Sequence, residues 1–303
     1  MSIISANRIS KKFGNTQAVN ALSFDVQPGE IFGLLGPNGA GKTTTIRMIL
    51  DIFKPDSGEI SVLGGPMDEE KKNQIGYLPE ERGLYQDIPL ERCLVFLATL
   101  KGMEESTAAA KIEDYLQHFD LYESRGKKVK ELSKGMQQKA QLISTLVHDP
   151  ELIIIDEPFT ALDPVNTEMV KDMLETKRDE GKAIIMSTHQ MNQVEELCDR
   201  ILLIDSGKRV LYGSLPEIQS TFATHDILVT PVSPLPEKIE GVREVQKLNG
   251  RYKLALEESA EPNQVLKGLI NQGVEMSEFE IAVPPLNEIF IKVVKEQKGN
   301  EHV

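Results

Sequence analysis

Hydrophobic positions in the first fifty or so residues change from a two-residue period to a helical period. Residues 1 to about 30 alternate apolar and polar positions around turn signals, which predicts strands of an antiparallel sheet at one edge of the fold. Residues 31–35 are wholly apolar and end at a glycine-rich loop. Beyond that loop, residues 43–53 carry apolar side chains at helical spacing. The order strand, loop and helix is typical of α/β proteins.

The same alternation of strands and helices returns further along the chain. Residues 140–147 have apolar side chains at helical spacing, and buried strands are predicted at 152–155, 184–187 and 201–205. Strands that alternate with helices favour a largely parallel sheet with helices on both faces. Residues 90–130 are rich in Ala, Glu, Lys and Leu with a helical period, which predicts a helical insertion.

The pattern changes again after about residue 222. Two alternating runs, 242–248 and 251–256, flank Asn249 and Gly250, and Asn-Gly in such a place is a strong hairpin signal. The other elements predicted here are a helix at 263–271, a strand at 274–283 and a helix after Pro285. We therefore predict two domains, a main α/β domain at 1–222 and a small α+β domain at 223–303.

The charge balance limits the partners of the chain. Its 303 residues include 47 acidic and 34 basic side chains, and the net charge of −13 disfavours long-range attraction to nucleic acid or to an anionic bilayer. The longest apolar runs, 152–155 and 201–204, are far shorter than the roughly 20 residues of a membrane-spanning helix.

The N-terminus lacks the apolar core of a secretory signal, and the two cysteines have no metal spacing. We expect a cytoplasmic protein; if it works at a membrane, another polypeptide supplies the spans.

The glycine-rich loop matches the pattern G-x-x-x-x-G-K-[ST] in its required place between a strand and a helix. Its glycines let backbone N–H groups curl around phosphates, Lys42 reaches the β and γ phosphates, and the Thr43 hydroxyl can ligate Mg²⁺. The competing interpretation, a glycine-rich turn with an exposed lysine, is disfavoured by the flanking strand and helix. The predicted ATP-binding residues are Gly36, Pro37, Asn38, Gly39, Ala40, Gly41, Lys42, Thr43 and Thr44.

The strand at 152–155 delivers two carboxylates at its carboxyl end, where ligands bind in open α/β sheets. Asp156 can hold Mg²⁺ through water, and Glu157 can polarise an attacking water. Alone, an Asp-Glu-Pro triplet would be interpreted as a solvated turn. Together with the phosphate loop, it predicts the metal and catalytic groups of an ATP-hydrolysing site.

Three further motifs resemble those of ATP-binding cassette proteins. Leu132–Gln137 looks like the family signature, and the triplets Ala-Leu-Asp at 161–163 and Ser-Thr-His at 187–189 follow in the family's order and spacing. The resemblance covers residues 1 to about 220. It implies the cassette fold of P-loop NTPases, which has a mostly parallel sheet, an antiparallel edge sheet and a helical subdomain. It also implies ATP hydrolysis, with ATP and Mg²⁺ as cofactors.

The resemblance implies a head-to-tail dimer around two ATP molecules, formed by two copies of the chain or by the chain and a similar ATPase subunit. Each ATP would lie between the phosphate loop of one subunit and the signature of the other. Ser133 would cap the helix that follows, so that its hydroxyl, the N–H of Gly135 and the helix dipole could face a γ-phosphate. Judged by itself, Ser133 is a helix cap; the surrounding motifs favour the phosphate role.

Three more residues take roles from the resemblance alone. His189 is implied to contact the γ-phosphate and the attacking water, Asp163 to couple the two ATP sites, and Phe13 to stack on adenine. Each has an ordinary alternative, namely a surface histidine at a strand end, a turn-forming aspartate before a proline, and a phenylalanine of the core.

Two positions depart from the family pattern. Where family members usually carry Gln, after a strand resembling 75–79, this chain has Glu80, which could still ligate Mg²⁺ but adds negative charge beside the γ-phosphate. We predict that Glu80 retains the metal and coupling roles. The signature reads Ser-Lys-Gly-Met in place of Ser-Gly-Gly-Gln, and Lys134 could either add charge near the phosphates or face solvent.

These features predict the ATP-hydrolysing subunit of a transporter, bound at the cytoplasmic face of the membrane to a separate polytopic permease. Residues 77–85 and 285–290 resemble bacterial export ATPases of sodium-efflux type that carry a small C-terminal domain. Export is therefore the expected direction, and sodium is a candidate cargo. For the C-terminal domain, which shows no catalytic cluster, the hypothesis is regulation or support of the dimer.

The alternatives are soluble cassette ATPases that act on DNA or on ribosomes, and a regulator that does not hydrolyse ATP. DNA-acting members insert long coiled coils between phosphate loop and signature, whereas here residue 133 follows residue 42 by 91 positions without sustained heptads. Ribosome-acting members usually join two cassettes in one chain, and they would favour a basic surface. A non-hydrolytic role is opposed by the presence of Glu157 and His189.

Overall fold

The computed structural model describes residues 2–81, 83–223, 226–257 and 259–300, with 296–300 as backbone only. The chain forms two compact units, Met1–Leu215 and Pro216–Val303. Arg82, within the segment 77–85, and residues 301–303 of the predicted C-terminal domain lie outside the described residues.

The described elements follow one another as strands and helices along both units. The strands are β1 (Ile4–Phe13), β2 (Thr16–Val26), β3 (Ile31–Leu35), β4 (Ser57–Val62), β5 (Ile75–Leu78), β6 (Leu152–Asp156), β7 (Ala183–Thr188), β8 (Arg200–Asp205), β9 (Lys208–Ser214), β10 (Ile227–Pro231), β11 (Val242–Leu248), β12 (Arg251–Leu256) and β13 (Met276–Ile281). The α-helices are α1 (Lys42–Ile49), α2 (Glu69–Asn73), α3 (Leu90–Leu100), α4 (Glu105–His118), α5 (Lys134–Leu146), α6 (Pro164–Asp179), α7 (Met191–Leu197), α8 (Leu215–Phe222), α9 (Pro262–Asn271) and α10 (Leu286–Asn300).

The centre of the first unit is a six-stranded sheet in the order β5-β6-β7-β3-β8-β9, in which only the pair β8 and β9 is antiparallel. Strands β3, β6 and β7 are buried along their whole length, which explains their continuously apolar sequences. In the register, Leu35 lies beside Thr188 and Asp156 lies beside Ser187. The phosphate loop, the two carboxylates and His189 therefore leave the sheet at one carboxyl edge. The predicted α/β fold with a mostly parallel sheet is confirmed.

A three-stranded antiparallel sheet in the order β2-β1-β4 accompanies the central sheet. Ile4 pairs with Val26 on one side and with Val62 on the other, and all three side chains are buried in the core of this unit. The sequence pattern predicts β1 and β2 but not β4. Of the side chains in β4, only that of Val62 is buried, so the strand lacks the alternation that marks a half-buried strand.

Helices α3 and α4 form the predicted helical insertion, and α5 follows them in the chain. Helices α3 and α4 bury apolar side chains such as Leu94 and Ile112, which recur at helical spacing. Helix α5 begins after Ser133, whose Oγ accepts a hydrogen bond from the N–H of Met136 at 3.2 Å. The signature thus lies where a capped helix starts.

The second unit contains a four-stranded antiparallel sheet in the order β11-β12-β10-β13, and α9 contributes Val265 and Leu269 to its core. The hairpin between β11 and β12 has the bounds that the sequence predicts. Its two turn residues, Asn249 and Gly250, have φ of 40° and 87°, as a type I′ turn requires. Among the described residues, no helix is both long and apolar enough to cross a membrane.

Candidate nucleotide site

The phosphate loop is built so that two of its glycines leave no room for a side chain. A Cβ at Gly36 would lie 2.2 Å from the carbonyl oxygen of Ile204, and a Cβ at Gly41 would lie 2.4 Å from that of Ala18. Both glycines have positive φ, 148° and 111°, which side-chain-bearing residues rarely adopt. Gly41 is the N-cap of α1, so the loop leads directly into the positive end of that helix.

A cavity of about 770 Å³ opens beside this loop, and we call it the phosphate cavity. It gathers residues that are far apart in the chain. Of the residues predicted for the ATP site, those that line it are Asn38, Gly39, Gly41, Lys42, Thr43, Thr44, Glu80, Asp156, Glu157 and His189. Gly36, Pro37 and Ala40 belong to the same loop, and Ala40 is buried beneath it. The lining also includes Thr16, Gln17, Ala18, Thr160 and Ser206, which no sequence motif singled out.

Backbone carbonyl groups hold the side chain of Lys42 at the N-terminus of α1. Its Nζ donates to the carbonyl oxygens of Gly36 at 2.7 Å and Pro37 at 3.2 Å, and the residue is only 8% exposed. Burial lowers the pKa of Lys42, while the neighbouring carboxylates, first among them Glu157, oppose that shift. The ammonium group is therefore partly desolvated and held in place, which favours its pairing with an anionic group such as a phosphate.

The oxygen atoms beside Lys42 fit a magnesium ion. Thr43 Oγ1 lies 3.4 Å from Asp156 Oδ2, and Glu80 lines the same cavity. Burial raises the pKa of Asp156, and repulsion from Glu80 and Glu157 adds to the rise. Within the described part of the chain, no group of three or more His, Cys, Asp or Glu side chains is arranged to hold a metal alone. This donor set suits Mg²⁺, which is usually held by one or two protein oxygens together with phosphates and waters.

Glu157 is fixed by three hydrogen-bond donors from the end of β7. Its Oε1 lies 2.6 Å from Nδ1 of His189 and accepts the backbone N–H of His189 at 3.2 Å, while Oε2 accepts the Thr188 hydroxyl at 3.2 Å. Glu157 has a φ of 54°, a rare backbone conformation for a side-chain-bearing residue and one that is concentrated at functional sites. The sequence did not point to the contact of Thr188 with Glu157, because a hydroxyl residue next to a motif histidine has no distinctive spacing.

The signature lies at a different cavity, of about 560 Å³, which we call the signature cavity. Ser133, Gly135 and Asp163 line it together with Lys134, Met136, Lys139, Ala161, Leu162 and Asn166. A Cβ at Gly135 would lie 3.0 Å from the carbonyl oxygen of Ala161, so the signature packs against the Ala-Leu-Asp triplet of its own chain. Among the described residues, those lining the phosphate cavity do not include Ser133 or Gly135.

Asp163 lies in a hydrogen-bonded chain that reaches the signature helix. Its side chain caps α6 by accepting the N–H of Asn166 at 2.9 Å, and this bond helps to lower the pKa of Asp163. The Asn166 side chain also bonds Asp163 at 2.6 Å and accepts from Lys139 Nζ at 2.8 Å. Asp163 is thus both the turn-forming cap and a link between α6 and α5. The sequence gives no sign of this role for Lys139, because a buried lysine within a helix forms no motif.

Phe13 is not a core residue. It ends β1 with 43% of its surface exposed, and its ring meets Phe53 edge to face at a centroid distance of 5.3 Å. Thr16, Gln17 and Ala18, which follow it in the chain, line the phosphate cavity. Phe13 itself is not among the described residues that line this cavity. Its exposure argues against plain core packing, and the adenine-stacking role remains a prediction.

Comparisons with known proteins agree with this geometry. The family described as ABC transporter matches residues 19–160, and the family described as ATP-binding protein DrrA1-3-like, C-terminal domain, matches residues 213–294. An uncharacterised ABC transporter ATP-binding protein of Bacillus subtilis, YhaQ, is 40% identical over 294 residues, which is 96% of this chain and 98% of that protein. The Nod factor export ATP-binding protein I of Burkholderia lata is 37% identical over 214 residues, 70% of each chain.

A solved structure of the ATP binding subunit of an ABC transporter superposes with a TM-score of 0.69 and 30% identity, over 73% of this chain and 93% of that one. The similarity to YhaQ spans nearly the whole of both proteins, so it includes the cassette and the smaller C-terminal unit. The chain therefore belongs to the ABC transporter family, in which it is an ATP-binding subunit with ATPase activity.

Proposed function

We propose that this ATPase forms a head-to-tail dimer around two ATP molecules with Mg²⁺, and that the dimer drives export through a separate membrane permease. The observation that carries the proposal is the separation of the two cavities. The phosphate loop and the signature line different cavities of one chain. In the proposed dimer, an ATP whose phosphates lie at Lys42 would take its contact with a signature helix from the second subunit.

The chemistry proposed for the phosphate cavity is attack of water on the γ-phosphate. Glu157 accepts hydrogen bonds from His189 and Thr188, so its carboxylate is held in one orientation from which it can polarise a water. Because a carboxylate oxygen only accepts, the contact with Oε1 places a proton on Nδ1 of His189, and in a neutral imidazole Nε2 can then accept a hydrogen bond. Lys42 and the N-terminus of α1 stabilise the charge on the phosphates. Bound Mg²⁺, held by Thr43, Asp156 and Glu80, would neutralise further phosphate charge.

Binding and hydrolysis would then drive opposite movements. ATP gains contacts with the second signature only in the closed dimer, so it favours closure by its differential affinity for that state. Loss of the γ-phosphate removes the bridge and allows the dimer to open. If the permease is attached to both subunits, closure and opening would move its helices.

Export is the direction supported by the Nod factor export ATP-binding protein I, which is 37% identical to this chain. The cargo is a property of the permease. Sodium is the first cargo to test, because residues 77–85 and 285–290 resemble ATPases of sodium-efflux type. The place of action in this proposal is the cytoplasmic face of the membrane.

The proposal is tested by affinity purification of the tagged chain from gently solubilised native membranes, with ATPase activity measured in the recovered complex. A matched sample of Lys42→Ala serves as control, since it should retain the permease and lose the activity. We expect a polytopic membrane protein to co-purify and to support ATP-dependent efflux, assayed first with Na⁺, after reconstitution into vesicles. Recovery with ribosomes or DNA and without a permease would contradict the transport role.

A further inference from the structure

Two residues that depart from the cassette pattern have opposite charges and line different cavities. Glu80 lines the phosphate cavity, where the usual glutamine would be neutral. Lys134 lines the signature cavity, where the usual glycine has no side chain at all. Each departure adds one unit of charge, and the two have opposite signs. Within one chain they belong to different halves of the proposed ATP site.

The charges of the two cavities are complementary. The phosphate cavity contains the carboxylates of Glu80, Asp156 and Glu157 against the single ammonium of Lys42, which leaves it net negative before a nucleotide adds more. In the signature cavity the balance is reversed, because two ammonium groups face one carboxylate; the groups are Lys134, Lys139 and Asp163. Surfaces with opposite net charge attract when they meet across an interface. The second copy of this chain is therefore a fitting occupant for each cavity.

Of the two lysines, Lys134 is the one that remains available to another molecule. Lys139 is 6% exposed, and its Nζ is bound to Asn166 Oδ1 at 2.8 Å. Lys134 is exposed at the first position of α5, and in the part of the chain that the structure describes it has no ion pair. It is adjacent to Ser133, whose hydroxyl caps the helix that the proposed function directs at the partner's phosphate. A cation there adds to the positive electrostatic potential at the N-terminus of that helix.

We infer that Lys134 of one copy compensates the charge of Glu80 in the other copy, across each ATP site of the dimer. This inference rests on the proposed head-to-tail dimer. Without Lys134, the carboxylate of Glu80 would add repulsion beside the γ-phosphate that no neutral glutamine creates. With Lys134, the closed site regains one positive charge, and closure becomes favourable again. The two departures thus form one adaptation, in which Glu80 should be tolerated poorly without Lys134.

The test is a double-mutant cycle on ATP-driven dimerisation. The Glu157→Gln chain is used throughout so that ATP persists, and the dimer dissociation constant is measured by analytical ultracentrifugation with ATP and Mg²⁺. The compared chains add Lys134→Gln, Glu80→Gln, or both. Matched controls are Lys127→Gln and Glu81→Gln, which change the same charges at exposed positions nearby. Lys134→Arg keeps the charge and checks that a positive group suffices.

We expect Lys134→Gln to weaken dimerisation about tenfold when Glu80 is present, and less than about threefold in the Glu80→Gln background. The difference should shrink between low and high salt, because exposed charges are screened. Lys134→Arg and the two controls should stay within about twofold of the parent chain. All of these positions are exposed, so thermal melting without nucleotide should show folded proteins throughout.

Failure of the proposed dimer and failure of the charge compensation would give different results. A Glu157→Gln chain that remains monomeric with ATP and Mg²⁺ would overturn the proposed dimer itself. A chain that dimerises, but shows the same effect of Lys134→Gln whether or not Glu80 is replaced, would overturn only the charge compensation. An equal effect of Lys127→Gln would do the same, since it would show a general response to surface charge.

Discussion

The phosphate cavity and the signature cavity are made by different means, although one stretch of chain connects them. The first is formed where β3, β6 and β7 end at a single edge of the sheet, so its residues are fixed by buried strands. The second is formed by the capped start of α5 and the segment after Thr160. Thr160 lines the phosphate cavity and Ala161 lines the signature cavity, so residues 156–163 run from one to the other.

This difference suggests a division of labour. The phosphate cavity has a buried lysine, a fixed carboxylate and glycines with no space for side chains, which are features of a site prepared for chemistry. The signature cavity has exposed residues and a helix cap, which are features of a surface prepared for a partner. Changes in the phosphate cavity should therefore act mainly on hydrolysis and on the stability of one chain. Changes in the signature cavity should act mainly on association.

The largest expected effect concerns hydrolysis. Glu157→Gln should lower ATP turnover by roughly 10²-fold or more, because an amide cannot polarise the water as the carboxylate does. ATP affinity should change less than about threefold, since binding relies on Lys42 and the loop. Steady-state turnover and equilibrium ATP binding measure the two quantities. Glu113→Gln, at an exposed position of α4, is the control.

If Glu157→Gln weakened ATP binding as much as it slowed turnover, the residue would serve in binding, and the assignment of chemistry to this cavity would be wrong. Retained turnover would contradict it more directly. Either result would remove the contrast between a catalytic cavity and an associating one.

The next effect concerns the free energy of unfolding of the chain without nucleotide. Gly36→Ala should cost about 3 kcal/mol or more, because a Cβ there would lie 2.2 Å from a backbone oxygen and φ is 148°. Gly135→Ala should cost about 1 kcal/mol or less, since its nearest contact would be 3.0 Å. Urea denaturation of the two variants gives both values. Equal costs would show that the two cavities are equally rigid.

A third effect concerns acid stability, which should arise outside both cavities. Burial, with a smaller contribution from Lys101, lowers the pKa of His148 from 6.5 to about 4; Asp149 opposes the shift and Lys111 adds to it. Between pH 6.5 and about 4, His148 therefore binds a proton in the unfolded chain but not in the folded chain. The stabilising contribution is complete above pH 6.5, and it is lost as the pH falls toward 4, by at most about 3 kcal/mol.

Replacement of His148 should make the free energy of unfolding depend less steeply on pH in the acid range. His148→Gln keeps a donor for the carbonyl oxygen of Ile75, which Nε2 contacts at 3.2 Å. The slope of unfolding free energy against pH should fall by nearly one proton between pH 6 and 5. An unchanged slope in His148→Gln would place the acid sensitivity elsewhere in the chain.

The smallest effect concerns adenine. Phe13→Ala should raise the ATP dissociation constant roughly fivefold, the value of one stacking contact, whereas Phe13→Tyr should keep it. Phe96→Ala removes an aromatic ring of similar exposure, 44% against 43%, and is the control. Equilibrium binding of a fluorescent ATP analogue measures all three. Equal affinities of Phe13→Ala and the parent chain would remove Phe13 from the nucleotide site.

Much of the fold could be predicted because the central strands are buried on both faces. The apolar run at 31–35 has the same bounds as β3, and 152–155 differs from β6 only by the added Asp156. The hairpin at 242–256 was predictable because Asn249 and Gly250 suit positive φ. By contrast, β4 and β10 were not named, since a strand with few buried side chains leaves a weak pattern.

The site could be predicted only as far as its motifs reach. Parallel strands that end at one edge bring 36–44, 156–157 and 189 together, and this follows from the order of the motifs alone. The contacts of Thr188 with Glu157, and of Lys139 with Asn166, could not be predicted. They depend on side chains that meet only when α5, α6 and β7 are packed in the folded chain.

The most direct test of the central claim, that one ATP site needs two chains, is a mixing experiment in the Glu157→Gln background. One chain carries Lys42→Ala and lacks a working phosphate cavity; the other carries Ser133→Arg and lacks a working signature. Each alone should retain no radiolabelled ATP through gel filtration. A mixed dimer has one intact site, formed by the phosphate cavity of one chain and the signature of the other, so the mixture should elute as a dimer with trapped ATP. A mixture that traps no more ATP than its separate components would contradict the account.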